Sequence, residues 1–251
     1  MSTGVQTVVG KFVWHDNVST DPEKARKFYG DLLGWGTEVF KTPEGEYPMI
    51  NVGGQAHGGF GPAQGGAPSH WLGHVLVEDV DETVRRAEAA GGKIVADAFD
   101  IPEVGRMAVI ADPQGAVTSA FSSAGDPPTN EGVFVWDELM TTDIEAAKSF
   151  YGEVYGWKTR DMDMGEMTYT MFMRAGEVDT AGGMNRPPGV EAPPHWLSYV
   201  ATEDVDKSAA KAKELGANLF VEPRDIPTVG RFAVVQDPAG AVFGLFKGSE
   251  A

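Results

Sequence analysis

Two tryptophans, each followed two positions later by a carboxylate, are the residues of this sequence best suited to chemistry. Trp14 precedes Asp16 in FVWHD, and Trp136 precedes Glu138 in FVWDE. Residues two apart in a strand share one face, so each indole is predicted to lie beside its carboxylate. The indole suits stacking on a flat ligand, or it is a core residue. A carboxylate in an apolar setting has a raised pKa and suits a general base, or it anchors an amine or hydroxyl.

Other polar residues offer further candidates for ligand contacts. Arg106 and Arg231 each end a VGR motif, where a guanidinium can hold a carboxylate or phosphate or pair with the aspartate six positions before it. His74 and Tyr199 stand at equivalent positions in HWLGHV and HWLSYV.

A cluster of methionines lies between residues 162 and 173. Methionine adapts to irregular apolar ligands, but alternate strand positions favour core packing, which is the expectation here. The cluster comprises Met162, Met164, Met167, Met171 and Met173.

The sequence segments that must position these residues occur twice, as an internal repeat. Residues 12–35 and 134–157 are identical at 12 of 24 positions, with an offset of 122. IPEVGRMAVIADPQGAV (101–117) matches IPTVGRFAVVQDPAGAV (226–242) at an offset of 125. The repeat predicts a first domain over 8–123, a linker over 124–131 that is rich in Ser, Pro and Gly, and a second domain over 132–248.

Each repeat is predicted to run strand, helix and short strands, twice. Thr20 with Glu23, and Thr142 with Glu145, have the spacing of a capping box at a helix start. Apolar residues from Ala25 onward recur at helical spacing, and a glycine closes each helix. Two such units enclose a cavity between their sheets, which favours a small-molecule site.

Composition excludes several classes of function. A formal net charge of −17 argues against nucleic acid, because a polyanion requires a clustered basic surface. The absence of cysteine excludes disulfides and cysteine-ligated metals. No run of eighteen apolar residues and no signal-peptide pattern occurs, so a cytoplasmic location is predicted.

The ordered set of motifs FYG, GW, EDVD, IPxVGR and DPxGA, found twice, resembles the glyoxalase/bleomycin resistance/extradiol dioxygenase family, also called the vicinal oxygen chelate (VOC) superfamily. It is most similar to the tandem two-domain glyoxalase-like proteins that are often labelled hydroxylases. The resemblance covers about residues 10–247. It implies an α+β fold of two tandem glyoxalase-like domains, each built of two βαβββ units with a curved, open, barrel-like sheet.

Members of that family with metal chemistry carry His or Glu on the first and last strands of each unit. Spacing places these positions at residues that are not His, Asp or Glu. They are Trp14, Leu72, Trp136 and Leu197 on the first strands, and Gly58, Ser119, Gly182 and Gly244 on the last strands. The usual metal site is therefore expected to be missing, and no cofactor is predicted.

A divalent metal remains the alternative. His15, His57 and His74 lie one or two residues from the expected ligand positions, and a β-bulge could bring them together. Their counterparts in the second repeat are predicted to be Asp137, Ala181 and Tyr199.

The leading interpretation is metal-independent binding, with or without conversion, of a small apolar or aromatic molecule. Secondary-metabolite tailoring and resistance-type sequestration both fit. The first alternative is a metal-dependent lyase, isomerase or dioxygenase of the glyoxalase type, and the second is a structural or protein-binding role. The predicted partner is a small molecule, with no nucleic acid and no membrane. The domains are expected to pair within the chain, and a homodimer is a further option.

Overall fold

The computed structural model describes residues 8–42, 45–129, 132–165 and 167–249. Residues 130 and 131 of the predicted linker lie outside this part of the chain. The described residues form four successive βαβββ modules, as the sequence predicts.

Module 1 contains β1 (Phe12–Ser19), α1 (Pro22–Leu33), β2 (Gly36–Thr42), β3 (Gly45–Val52) and β4 (Gln55–Pro62). Module 2 contains β5 (His70–Leu76), α2 (Val80–Ala89), β6 (Lys93–Ile101), β7 (Gly105–Ala111) and β8 (Val117–Ser123). Module 3 contains β9 (Phe134–Thr141), α3 (Ile144–Tyr155), β10 (Lys158–Asp163), β11 (Thr168–Arg174) and β12 (Val178–Asn185). Module 4 contains β13 (His195–Ala201), α4 (Val205–Glu214), β14 (Asn218–Ile226), β15 (Gly230–Gln236) and β16 (Val242–Gly248).

The strands form two open, mixed eight-stranded sheets, one from each repeat. The first consists of the runs β2-β3-β4-β1 and β5-β8-β7-β6, and the second of β10-β11-β12-β9 and β13-β16-β15-β14. In every module the first strand pairs in parallel with the last, and the remaining pairs are antiparallel. The predicted α+β class is confirmed.

Helices α1 and α3 begin one residue later than the sequence predicts. Asp21 and Asp143 are the N-caps, and their side chains accept the backbone N–H of Lys24 and Ala146. The predicted capping boxes at Thr20 and Thr142 are therefore wrong, because an aspartate one position on offers an anionic acceptor to the same turn. The C-terminal glycines, Gly34 and Gly156, adopt the left-handed conformation as predicted.

Contacts divide the chain into two compact units that draw on both repeats. Compact unit 1 comprises residues up to Val13, Gly73–Pro128 and Trp136–Trp196, so it contains most of modules 2 and 3. Compact unit 2 comprises Trp14–Leu72, Thr129–Val135 and residues from Leu197 onward, so it contains most of modules 1 and 4. Each unit has its own large apolar core.

A buried hydrogen-bond chain links the two repeats in the core of compact unit 2. The Trp71 indole N–H donates to the Tyr29 hydroxyl over 3.0 Å, and that hydroxyl donates to Asp237 Oδ2 over 2.9 Å. The other oxygen of Asp237 accepts three backbone N–H groups of its own turn, residues 239–241, at 2.7–3.0 Å. The motifs FYG, HW and DPxGA thus supply three parts of one buried network.

Compact unit 1 contains the same chain with the repeats exchanged. The Trp196 indole N–H donates to the Tyr151 hydroxyl over 2.9 Å, which donates to Asp112 Oδ2 over 3.1 Å. Tyr29 and Tyr151 are both fully buried. Burial, and secondarily the neighbouring aspartate, raises the pKa of each phenol well above its usual value.

One core position is chemically mismatched. The side chain of Asn17 is completely buried on β1, and neither its amide nitrogen nor its oxygen has a hydrogen-bond partner in the structure. The second repeat has Leu139 at this position, also completely buried. A buried polar group without a partner costs about 1–3 kcal/mol.

We expect Tyr29→Phe to lower the free energy of unfolding by about 2–3 kcal/mol, since it leaves buried Trp71 and Asp237 atoms without their shared partner. Urea denaturation followed by far-UV circular dichroism measures the change. Tyr155→Phe is the control: its hydroxyl is hydrogen-bonded to Thr118, so the loss of that one bond should lower the free energy of unfolding by about 1 kcal/mol. Equal stability of Tyr29→Phe and the wild type would contradict this account of the core.

We expect Asn17→Leu to raise the free energy of unfolding by about 1 kcal/mol, because it removes an unsatisfied amide and installs the residue of the other repeat. The matched reverse change, Leu139→Asn, should lower it by about 2–4 kcal/mol. Thermal and urea unfolding measure both. A less stable Asn17→Leu protein would show that the amide has a stabilising partner.

Candidate functional site

The first module of each repeat has one sheet face packed on its helix and one face turned away from it. In module 1 the buried Ile50 and Phe60 belong to the core beneath α1. In module 3 the buried Leu139 and Phe172 belong to the core beneath α3. We call the opposite side of each sheet the site face, and strand alternation assigns Trp14, Asp16, Trp136 and Glu138 to it.

On the site face of module 1, an indole, a phenol and a carboxylate form a closed set. The Trp14 indole N–H lies 2.9 Å from the Tyr47 hydroxyl oxygen and 3.1 Å from Asp16 Oδ1. The Tyr47 hydroxyl in turn donates to Asp16 Oδ1. The sequence placed Trp14 beside Asp16, and the fold adds Tyr47 between them.

The site face of module 3 repeats this arrangement with a glutamate. The Trp136 indole N–H donates to the Tyr169 hydroxyl over 2.8 Å, and that hydroxyl donates to Glu138 Oε2 over 3.0 Å. Glu138 is only 8% exposed. We refer to the two sets as the Trp14 site, in compact unit 2, and the Trp136 site, in compact unit 1.

A glycine opposite each carboxylate makes room for the tyrosine. Asp16 pairs with Gly59 across β1 and β4, and Glu138 pairs with Gly182 across β9 and β12. A Cβ atom at either glycine would overlap the hydroxyl of Tyr47 or Tyr169. The phenol therefore fills the space that any last-strand side chain would need. In module 1 the residue opposite the acid is Gly59. It lies one residue beyond Gly58, the position at which the family resemblance predicts a last-strand metal ligand.

Burial and the adjacent carboxylate keep both phenols protonated. Desolvation, and secondarily the charge of Asp16, raises the pKa of Tyr47 well above its usual value. Desolvation and the charge of Glu138 likewise raise the pKa of Tyr169. Each tyrosine thus remains a hydrogen-bond donor to its carboxylate at physiological pH.

The residues present do not fit the metal site that the family implies. His15 pairs with Gly58 across β1 and β4, and strand alternation turns its side chain to the face opposite that of Asp16. Its ring stacks on the core residue Phe134 at a centroid distance of 4.0 Å. His57 is the unmatched residue of a bulge between β3 and β4, and its Nδ1 is buried without a partner. Among the described residues, no group of three His, Cys, Asp or Glu side chains is placed to hold a metal ion.

The bulge also corrects one assignment. In module 3 the register shift leaves residue 180 unmatched, between the pairs of Ala181 and Asp179. The counterpart of His57 is therefore Thr180 and not Ala181. The Thr180 hydroxyl donates to the Gly10 carbonyl over 2.9 Å.

The two predicted arginines are engaged in ion pairs. Arg106 contacts Asp81 and Asp100, each at 2.9 Å. Arg231 makes the same pattern of pairs with the carboxylates of residues 206 and 225, at 2.7 and 2.9 Å. The pairs raise the pKa of both guanidinium groups. These contacts tie the strand after each IPxVGR turn to the preceding helix.

His74 and Tyr199 lie on β5 and β13. His74 is buried and pairs in register with Ser119. Tyr199 pairs with Gly244, its ring occupies the space above that glycine, and it lies edge-on to Phe246. The contacts described for Tyr199 are those of a packed aromatic residue.

Tyr47 and Tyr169 are the site residues that sequence reasoning missed. Their positions differ by 122, the offset that separates Trp14 from Trp136 and Asp16 from Glu138. The sequence signal that could have identified them is a tyrosine found in both repeats at this same offset. It was hidden because the surrounding hairpins, EGEYPMINV and GEMTYTMFM, share few other residues.

Comparison with known proteins agrees with this architecture of paired βαβββ modules. Residues 13–121 match the model of the glyoxalase-like domain. Residues 134–245 match that of the glyoxalase/bleomycin resistance protein/dioxygenase superfamily. The chain belongs to this superfamily and carries two tandem domains of it, as the motifs predict.

Two curated relatives match nearly the full chain. CFP32 of Mycobacterium tuberculosis (strain CDC 1551 / Oshkosh), provisionally named a glyoxylase, is 38% identical over 93% of each chain. The anthracycline biosynthesis protein DnrV of Streptomyces peucetius is 31% identical, over 94% of this chain and 92% of its own.

A solved structure shows the same fold. The Mn(II)-bound glyoxalase from Novosphingobium aromaticivorans has a TM-score of 0.62 and 20% identity, over 95% of this chain and 82% of its own. Among the described residues, no helix is long and apolar enough to cross a membrane.

The raised phenol pKa values predict an alkaline titration. A tyrosine with a higher pKa in the folded than in the unfolded chain stabilises the fold fully below the unfolded pKa of about 10, and this contribution is lost as the pH rises above it. We therefore expect Tyr47 and Tyr169 to remain phenols in the native protein at about pH 10. Absorbance at 295 nm measures this.

The control is a protein with both Tyr47→Phe and Tyr169→Phe. Its native titration curve should overlay that of the wild type, whereas in denaturant it should lose the signal of two tyrosines. A smaller native signal near pH 10 in the double variant would contradict the predicted shifts.

Proposed function

We propose that the protein binds a small, flat, apolar or aromatic molecule bearing a hydroxyl or amine, without using a metal ion held by its own side chains. The observation that carries this proposal is the duplicated set of indole, phenol and carboxylate on the site faces. Trp14 and Trp136 supply stacking surfaces. Asp16 and Glu138 supply the anionic acceptor, held in place by Tyr47 and Tyr169.

The carboxylate gives the site its chemical capacity. A ligand hydroxyl or amine donates to the carboxylate, and a charge-assisted hydrogen bond of this kind contributes about 1.5–3 kcal/mol. The same carboxylate is the group able to accept a proton if the ligand is converted. The tyrosine stays protonated, so it orients the carboxylate and takes no proton itself.

The relatives support an aromatic ligand and a place in secondary metabolism. DnrV is named for anthracycline biosynthesis, and an anthracycline is a fused-ring aromatic molecule with hydroxyl groups. Tailoring of such a molecule and its sequestration for resistance both require the binding proposed here. A cytoplasmic location and pairing of the domains within the chain fit this proposal.

The metal-dependent alternative draws support from one observation. The buried Nδ1 of His57 lacks a hydrogen-bond partner, as a ligand atom without its metal would. Opposing it, the ring of His15 is stacked within the apolar core of compact unit 2. A metal site would therefore require a rearranged first strand.

We expect 2-naphthol and 2-hydroxyanthracene to bind more tightly than naphthalene and anthracene, because only the hydroxylated probes can donate to the carboxylates. Isothermal titration calorimetry measures the affinities. In the double variant Asp16→Asn with Glu138→Gln, the hydroxylated probes should lose about 10-fold or more in affinity. The loss of affinity for the parent hydrocarbons should be smaller.

Two controls complete the experiment. Tyr155→Phe should bind as the wild type does, because Tyr155 ends α3, packs against Tyr151 and Trp157 and is hydrogen-bonded to Thr118 rather than to a site-face residue. Dialysis against a chelator, with metal content measured before and after, should leave binding unchanged. Unaltered binding by the double variant, or binding abolished by the chelator, would overturn the proposal.

A further inference from the structure

The two site faces differ most in their methionines. Seven of the ten methionines lie between residues 140 and 184. The fold places five of them on the site face of module 3, around the Trp136 site. They are Met140, Met162, Met171, Met173 and Met184.

Strand register establishes this placement. Met162 pairs with Tyr169, and Met171 pairs with Gly182, which itself faces Glu138. Residues directly opposite each other in a sheet share a face. Met184 pairs with Met140, two residues beyond Glu138. Met173 follows Met171 by two positions on β11.

The expectation that the methionines fill the core is wrong for part of the cluster. Met162, Met164 and Met167 are 41%, 45% and 39% exposed, whereas Met173 is 8% exposed. The reason is that β10 is an edge strand, and its hairpin with β11 extends beyond the helix-covered core.

The site face of module 1 carries only one methionine at the equivalent positions. These positions hold Val18, Phe40, Met49, Asn51 and Gly61, as judged from the same strand pairs. The Trp14 site therefore has one methionine on its border, beside a valine, the rigid ring of Phe40, the polar amide of Asn51 and a glycine.

We propose that the Trp136 site is the principal site for fused-ring aromatic ligands, and that its methionines determine this specificity. This inference rests on the proposed function. Methionine has three rotatable bonds and a polarisable sulfur, so it conforms to ligands of different outline and contacts aromatic ring edges favourably. Phe40 cannot adapt in this way, and Asn51 and Gly61 offer little apolar area to a third ring. The Trp14 site accordingly takes the smaller ligands.

Methionine-methyl NMR of the full chain, labelled with 13C at the methionine methyl groups, tests this inference. On titration with 2-hydroxyanthracene, the signals of Met140, Met162, Met171 and Met184 should shift and saturate first. The signal of Met49 should shift only at concentrations about 5- to 10-fold higher. Single Met→Leu variants assign the signals.

Variants that exchange bordering residues between modules 1 and 3 test whether the methionines cause the difference between the two sites. Met140→Val with Met162→Phe installs the residues of module 1 in module 3, and should weaken binding of 2-hydroxyanthracene at the Trp136 site about 5- to 10-fold. Val18→Met with Phe40→Met should strengthen binding at the Trp14 site. Met164→Leu, at the exposed β10–β11 turn, is the control and should change neither.

The outcomes separate this inference from the proposed function. Saturable binding in which Met49 shifts together with the module 3 signals, or in which the exchanges leave the order of the sites unchanged, overturns the methionine inference alone. An absence of any saturable shift, with no heat of binding for either hydroxylated probe, overturns the proposed function as well.

Discussion

The buried hydrogen bond from a tyrosine of one repeat to an aspartate of the other is the interaction on which the rest of the structure depends. Tyr29 donates to Asp237, and Tyr151 donates to Asp112. Each aspartate also closes its own turn through three backbone N–H groups. A buried phenol cannot donate to water, and an apolar core offers it few acceptors as strong as a carboxylate. The bond therefore specifies which helix packs beneath which sheet. Each compact unit consequently requires both repeats.

The site faces reuse the same three chemical groups for a different purpose. In the core, the aspartate is fixed by its turn and the indole caps the phenol from a buried strand. On the site face, Asp16 and Glu138 extend from strands, and a glycine opposite each leaves space for the phenol. In the first arrangement one oxygen of the aspartate accepts backbone N–H groups and the other accepts the phenol, so the network is closed and rigid. The second leaves a carboxylate beside an aromatic surface, where a ligand can meet both.

Duplication preserved the framework of the site and changed its surroundings. Trp14 and Trp136 recur unchanged in type, as do Tyr47 and Tyr169, and in both repeats the indole N–H donates to the phenol. The carboxylate of the second repeat is longer by one methylene, and its bordering positions carry five methionines where the first repeat carries one. Because the indole–phenol pair holds the acid in both repeats, the border could diverge without loss of that geometry. The residues that vary are those that a ligand would touch.

The sequence by itself determined the modules, the helix ends at Gly34 and Gly156, and the neighbourhood of Trp14 with Asp16, because these follow from local periodicity and repetition. It misplaced the helix start by one residue, since Thr20 and Asp21 are both good N-caps and only the backbone geometry distinguishes them. Tertiary structure alone decided that Tyr47 joins Asp16, that His15 turns into the core, and that each compact unit combines modules from both repeats. These outcomes depend on strand register and on burial between segments far apart in the chain, and no local pattern encodes either.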